Sequence, residues 1–227
     1  KTFKAHERTG WSLRPETREA FRFLTLLPEQ LEGESLPHQT TSLRRLAWSA
    51  CYGGKPQRTC DILDYPGEIY RLAFLDEVDN QDPVSFAERI AANQEELDAF
   101  LGHLTKSDQV FVLFNLADAE HLETTPDNLD AVWVTNACLD FLFRLHTHPK
   151  VTLLLTQIDR YVSPDTVELD PRTFVAQHLP LIAGNYPNLD VLAVSAIGTA
   201  DTTIGVDNLM LRCLVDTPVV QQSIAAC

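Results

Sequence analysis

The stretch VTLLLTQID at residues 151–159 decides the expected fold. Its unbroken run of apolar and β-branched residues predicts a strand that is covered on both faces, as strands of parallel sheets usually are. Two similar runs occur along the chain, VFVLFNLA at 110–117 and LDVLAVSAI at 189–197. The sequence therefore predicts three buried strands, and we expect residues 110–117 at the centre of the sheet.

Helical patterns separate these strands. Large apolar residues recur at helical spacing over the segment that ends near residue 106, and again over residues 128–147. Asp170 and Pro171 predict the start of a further helix through about Ala183, because proline is tolerated in a first helical turn. Strands that alternate with helices require parallel crossover connections, which place helices on both faces of the sheet.

A hairpin precedes the parallel part. SLRRLAWSACY at 42–52 and RTCDILDY at 58–65 flank Gly53-Gly54-Lys55-Pro56, and such breakers between two strand patterns predict a turn. We therefore expect a single α/β domain over residues 1–227, with a doubly wound, mostly parallel sheet, helices on both faces and one antiparallel edge strand. Its predicted parts are an N-terminal segment at 1–35, a core at 36–215 and a C-terminal tail at 216–227.

Composition excludes several classes of protein. Hydrophobic residues make up 44% of the chain and charged residues 22%, which is ordinary for a folded globular protein. A formal net charge of -14 repels nucleic-acid phosphates, so nucleic acid is not expected as a partner. No apolar run approaches the roughly 20 residues of a membrane-spanning helix. The five cysteines form no CxxC pair, which favours reduced thiols and a cytoplasmic location.

The residues that directly follow the strands form the candidate site, because parallel sheets bind ligands beyond the carboxyl ends of their strands. They are Asp64-Tyr65-Pro66-Gly67, Thr156-Gln157-Ile158-Asp159 and Ser195-Ala196. For a magnesium-bound nucleoside triphosphate, Asp64 would hold the metal and the amide of Gly67 could approach the terminal phosphate. Asp159 would accept two hydrogen bonds from the guanine edge, and the Ser195-Ala196 turn would offer a backbone amide to the guanine carbonyl.

This order of motifs, DYPG then TQID then SAI, resembles the G domain of P-loop GTPases of the Ras-like and translation-factor-like superfamily over about residues 36–215. Those families carry Asp-x-x-Gly, then Asn or Thr-Lys-x-Asp, then Ser-Ala, each after the corresponding strand. The form Asp-Tyr-Pro-Gly-Glu and the helix-like insert TREAFRFLTLLPEQLEGE at 17–34 look more like bacterial conflict-system or stress-associated GTPases than like Ras.

The resemblance implies a guanine-nucleotide-binding switch that hydrolyses GTP slowly with Mg²⁺ and contacts a protein partner through its switch regions. Thr40 in LPHQTT at 36–41, with Thr41 close behind, matches the magnesium-binding threonine of the first switch. The implied metal ligands are therefore Thr40 and Asp64. The implied catalytic residues are Thr40 and Glu68. Glu68 stands where Ras-like proteins use a glutamine to orient the attacking water. The implied contacts to GTP or GDP are Gly67, Thr156, Asp159, Ser195 and Ala196.

Three features depart from the family pattern. The sequence contains no Gly-x-x-x-x-Gly-Lys-Ser/Thr phosphate loop, and Gly53-Gly54-Lys55 is a turn rather than a substitute. One interpretation is that Lys1-Thr2 is the end of such a loop, whose preceding residues are absent from this sequence. The other is that the chain is a fragment, has a gap, or descends from GTPases that lost the loop. Gln157 stands where the family has a lysine whose aliphatic stem packs on the guanine base. Glu68 places a carboxylate beside the terminal phosphate, and the phosphate would repel this carboxylate unless the carboxylate is protonated or turned away.

Two other hypotheses stay open. A GTPase-like module that binds no nucleotide, and holds a partner through its sheet and switch regions, is favoured by the missing loop, Gln157 and Glu68. An unrelated doubly wound fold, such as a receiver or flavin module, leaves the order of the motifs unexplained.

Overall fold

A computed structural model of the chain describes residues 11–22, 43–74, 83–116, 126–158, 170–195, 205, 209, 212 and 213. The chain divides into two compact units. The first unit comprises Lys1–Gly67 together with Met210–Cys227, and the second comprises Glu68–Leu209.

The first unit contains an antiparallel sheet of three strands, β1 (Trp11–Pro15), β2 (Arg44–Tyr52) and β3 (Lys55–Asp64), in that order. The predicted hairpin is confirmed as β2 and β3, but its turn is shorter than expected. Only Gly53 and Gly54 form it, with φ of 55° and 78°, and Lys55 already pairs with Tyr52. A two-residue turn with two positive φ angles follows the twist of the strands and favours glycine at both positions.

The sequence did not predict β1, which pairs with the far edge of β2 from Trp11 opposite Tyr52 to Pro15 opposite Trp48. A helical turn at 18–22 follows it, and the hydroxyl of Thr17 accepts a hydrogen bond from the Ala20 amide at 3.1 Å. Ala20 then packs with Leu46 and Trp48 in a buried cluster. The helix-like pattern predicted at 17–34 therefore begins as a helix, and its part beyond residue 22 lies outside the described residues.

The second unit contains the parallel sheet, with β4 (Gln109–Asn115), β5 (Lys150–Thr156) and β6 (Asp190–Val194) in the order β4-β5-β6. All three predicted strands are confirmed, and both pairings are parallel. The expectation that β4 lies at the centre is wrong for this sheet, since β5 is the central strand. β4 buries only alternate residues, and its Leu113 is 61% exposed.

Six helices are described beside these strands. They are α1 (Gly67–Phe74), α2 (Pro83–Ala92), α3 (Gln94–Lys106), α4 (Pro126–Arg144), α5 (Pro171–His178) and α6 (Pro180–Asn185). Asp170 caps α5 as expected, because its carboxylate accepts a hydrogen bond from the Arg172 amide at 3.2 Å. The single helix predicted through Ala183 is instead two, since proline at 180 has no amide hydrogen to continue the ladder of α5.

The fold is therefore mixed α/β, as predicted, with a parallel sheet and an antiparallel sheet of three strands each. The antiparallel part is larger than one edge strand because β1 joins the hairpin. Within the described part of the chain, no helix is both long and apolar enough to cross a membrane.

Candidate functional site

The carboxyl ends of the three parallel strands lie in one row. Asn115 on β4 is the register partner of Thr156 on β5, and Thr156 is the partner of Val194 on β6. Neighbouring strands are about 4.8 Å apart, so the outer two positions of this row are separated by about 10 Å. The structure thus brings Thr156 and Ser195, which directly follows Val194, to the same edge of the sheet. We call this row and the residues that follow it the rim.

At the centre of the rim the chain turns sharply after Thr156. The Thr156 hydroxyl donates to the carbonyl oxygen of Phe114 at 3.4 Å, which ties the end of β5 to β4. Gln157 then has φ of 61°, a left-handed conformation that is uncommon for residues other than glycine, and Ile158 is buried. The strand therefore ends three residues earlier than predicted. Strained backbone of this kind clusters at functional sites, where the surrounding structure holds it in place.

Ser195 is buried at the end of β6, with 2% of its surface exposed. Gly205 approaches the same strand from a later part of the chain, and its φ is 69°. A Cβ atom at position 205 would overlap the carbonyl oxygen of Ala193, so both backbone and space demand glycine there. The close approach of Gly205 therefore shapes the backbone beside Ser195.

Asp64 and Gly67 belong to the first unit. Asp64 is the last residue of β3, is half-buried, and lies opposite Arg44 in the register. Gly67 begins α1, where a Cβ would meet no atom within 4 Å, and its φ is not positive. Neither packing nor backbone conformation among the described residues requires glycine at 67. Close approach of a ligand to the Gly67 amide would be a reason for it.

Glu68 lies in the first turn of α1 with an exposed side chain. Its carboxylate accepts from Nη1 of Arg89 on α2 at 3.5 Å, and Arg89 also lies over the ring of Phe86 at 5.9 Å. A neighbouring guanidinium offsets the negative charge that would otherwise be repelled by phosphate. Sequence reasoning missed Arg89, because 21 residues separate it from Glu68 and no local pattern signals their pairing.

Asn115 was also missed, although a signal for it existed. It is a polar residue at the end of an apolar strand, and the rule that led to Thr156 and Ser195 applies to it equally. The register with Thr156 now adds Asn115 to the rim.

Thr40, Asp159 and Ala196 lie outside the described residues, so the roles expected for them stay predictions. Among the residues that are described, no three His, Cys, Asp or Glu side chains come together as a metal site. Asp64 offers the hard oxygen donor that Mg²⁺ prefers, while its expected companion Thr40 is among the residues not described.

Comparisons with known proteins do not identify a family for this chain. The chain matches no family model, no curated protein and no solved structure. The likeness to P-loop GTPases therefore rests on the residues and their order alone.

Proposed function

We propose that the protein binds a guanine nucleotide with Mg²⁺ and hydrolyses GTP slowly, as a molecular switch. The observation that carries this proposal is the rim of the parallel sheet. Two of the expected nucleotide-binding residues lie at one edge of the sheet: Thr156 ends β5, and Ser195 directly follows the neighbouring strand β6. Gln157, which comes directly after Thr156, has a left-handed backbone conformation. Ligands bind at this edge of parallel sheets, whatever the family.

The recognition chemistry follows from the donor and acceptor groups of guanine. Asp159 comes two residues after the Gln157 turn, and its carboxylate accepts from the ring N–H and the amino group of guanine. The amide after Ser195, that of Ala196, donates to the guanine carbonyl. Thr40 and Asp64 are proposed as the oxygen ligands of Mg²⁺, and the Gly67 amide as a donor to the terminal phosphate.

A doubly wound, mostly parallel sheet with helices on both faces is part of the proposal. Two observations support it: β4, β5 and β6 are joined by crossovers that contain helices, which supports the parallel winding, and five consecutive residues of β5 are buried, which requires cover on both faces. The phosphate loop that such a GTPase needs is not in this sequence. Binding is therefore tested with the full-length natural protein.

The decisive experiment is a titration of nucleotide-stripped protein with fluorescent GDP and GTP analogues, with Mg²⁺ and with EDTA. We expect magnesium-dependent, saturable binding that unlabelled GTP displaces and ATP does not. Asp159→Asn should lose guanine nucleotide and gain xanthosine nucleotide, because xanthine has a carbonyl where guanine has its amino group. Asp108→Asn, at the amino end of β4, is the matched control. Absence of binding at tens of micromolar nucleotide contradicts the proposal.

A GTPase-like interaction module without nucleotide is the second candidate. Two observations favour it: the Glu68 carboxylate already has Arg89 as a partner, and the Thr156 hydroxyl is engaged by the Phe114 carbonyl. This candidate predicts that removal of nucleotide leaves the melting temperature unchanged and that GTP with Mg²⁺ produces no thermal shift. A nucleotide found in the purified protein excludes it.

A further inference from the structure

Helix α4 exposes large apolar side chains on the side that faces away from the sheet. Its inner side is buried through Val134, Cys138 and Leu142. On the outer side Trp133 is 55% exposed, and Phe143 is 47% exposed with its ring stacked on Tyr186. Large apolar side chains that a helix leaves exposed mark a surface suited to contact with a further layer.

Three helices of the second unit border a groove at this surface. Trp133, Ala137 and Phe141 recur every four residues on α4 and form a stripe about 12 Å long. Phe74 of α1 and Leu101 of α3 line the facing side. The rings of Phe74 and Phe141 are in contact, with centroids 5.8 Å apart, which makes the floor apolar and continuous.

The open side of the groove suits a helix rather than a small ligand buried on all sides, because Trp133 stays largely exposed. The groove has a volume of about 720 Å³, and its lining includes the polar side chains of Asn136, Asp140 and Arg144. Asp140 and Arg144 are already paired at 2.7 Å. Amphipathic helices dock into such grooves through apolar residues spaced three and four apart, which is the spacing of the α4 stripe.

Charge decides which kind of helix fits. The unit Glu68–Leu209 contains 23 acidic and 7 basic residues. Asp98 is exposed on α3, one turn before Leu101, and Arg71 is exposed on α1, one turn before Phe74, so the excess of negative charge comes from the unit as a whole. A second copy of this chain would bring the same excess of negative charge and be repelled, whereas a basic partner would be attracted.

We propose that the groove between α1, α3 and α4 binds an amphipathic helix of a protein partner, with apolar residues against Trp133 and Phe141 and lysine or arginine along its flanks. This inference rests on the helices of the second unit and not on the nucleotide rim. It therefore holds or fails independently of nucleotide binding.

The test uses a fluorescein-labelled leucine–lysine helix, LKKLLKLLKKLLKL, and the same peptide with glutamate in place of lysine. Both are titrated into the full-length protein, with and without GTP and Mg²⁺, and binding is followed by fluorescence anisotropy. We expect saturable binding of the lysine peptide, weakened by added salt, and at least tenfold weaker binding of the glutamate peptide.

Substitutions at Trp133 and Leu181 show whether the peptide binds in the groove. Trp133→Ala should weaken binding of the lysine peptide by about tenfold, because large aromatic side chains dominate such contacts, and Trp133→Phe should retain most of it. Leu181→Ala changes another exposed apolar residue of the same unit, outside the groove, and should stay within twofold of the natural protein. Far-UV circular dichroism verifies that each variant is folded.

Three outcomes overturn the proposal. One is the absence of saturable binding, and another is equal binding to the Trp133→Ala and Leu181→Ala variants. The third is a concentration-dependent dimer, seen by sedimentation velocity, that Trp133→Ala disrupts, since the occupant would then be a second copy of this chain.

Discussion

The two sheets bury their central strands alike but differ in how much of an edge strand they bury. In the parallel sheet, β5 buries five consecutive residues, Val151–Leu155, and the edge strand β4 still buries Val110, Val112 and Phe114. In the antiparallel sheet the central strand β2 buries six consecutive residues, Leu46–Cys51, but the edge strand β3 has no fully buried residue along its whole length. Helices from the crossover connections cover the parallel strands, whereas a hairpin brings no cover of its own.

The two sheets also differ in the sequence distance between their paired strands. β2 and β3 are held together by a two-residue turn and a ladder between neighbours in sequence. The parallel strands are brought together over crossovers of tens of residues, so the rim exists only when the whole second unit is folded. The four predictions that follow test this contrast, from the largest effect to the smallest.

Truncation of the central parallel strand should have the largest effect. Leu153 is completely buried, so Leu153→Ala should lower the free energy of unfolding by about 2–5 kcal/mol through lost burial and a cavity. Ile62 on β3 is 52% exposed, and Ile62→Ala should cost about 1 kcal/mol or less. Urea denaturation followed by circular dichroism measures both. Equal costs would mean that Ile62 on the edge strand β3 is packed as tightly as Leu153.

The close approach beside Ser195 should be nearly as sensitive. Gly205→Ala places a Cβ against the Ala193 carbonyl at a positive φ, and we expect a loss of about 2–4 kcal/mol. Gly184→Ala is the matched control, because its Cβ meets nothing within 4 Å and alanine suits a helix better than glycine. The control should be neutral or slightly stabilising in the same urea experiment. If Gly205→Ala is also neutral, the strand end of β6 is less constrained than the structure indicates.

The turn at the centre of the rim should discriminate between side chains. Gln157→Asn should be tolerated, because asparagine adopts left-handed backbone more readily than most residues. Gln157→Val should be less stable than Gln157→Asn by about 1 kcal/mol, because β-branched residues strongly disfavour positive φ. Thermal unfolding of the two variants gives the difference. Equal stability would show that residue 157 leaves the left-handed region in solution.

The smallest effect is a pH dependence in the antiparallel sheet. The Ser49 hydroxyl donates to Glu16 at 2.6 Å and Arg14 donates to it at 2.8 Å, and together they lower the pKa of Glu16 below its ordinary value of 4.5. The charged form is favoured in the folded state, so its contribution is present above the ordinary pKa and is lost as the pH falls through the lowered one.

Ser49→Ala removes the larger of these two causes. We expect the melting temperatures of the natural protein and the variant to differ most at neutral pH and to converge as the pH falls below 4.5. Ser107→Ala is the control, because the Ser107 hydroxyl donates to a backbone carbonyl, that of His103, and its effect should not change with pH. A difference that stays constant for Ser49→Ala down to pH 3 would contradict the assigned bond.

Much of the fold was predictable because its signals are local. The apolar run at 151–155 predicted a buried strand, the two glycines at 53 and 54 predicted a turn, and Asp170 predicted a helix cap. Each depends on residues within a few positions of one another. The order of the strands along the sequence also predicted that Thr156 and Ser195 lie at one edge of the parallel sheet, as the register shows.

The sequence by itself determined the α/β class, the parallel strands and the hairpin, because hydrophobic spacing and turn residues act over short stretches of chain. Only the tertiary structure decided that β5 is central, that β1 pairs with the far edge of β2, and that Arg89 meets Glu68. It also decided the left-handed backbone at Gln157 and the contact of Gly205 with β6. These features join residues distant in sequence or depend on packing around them, and no local pattern encodes which of many possible contacts the folded chain will make.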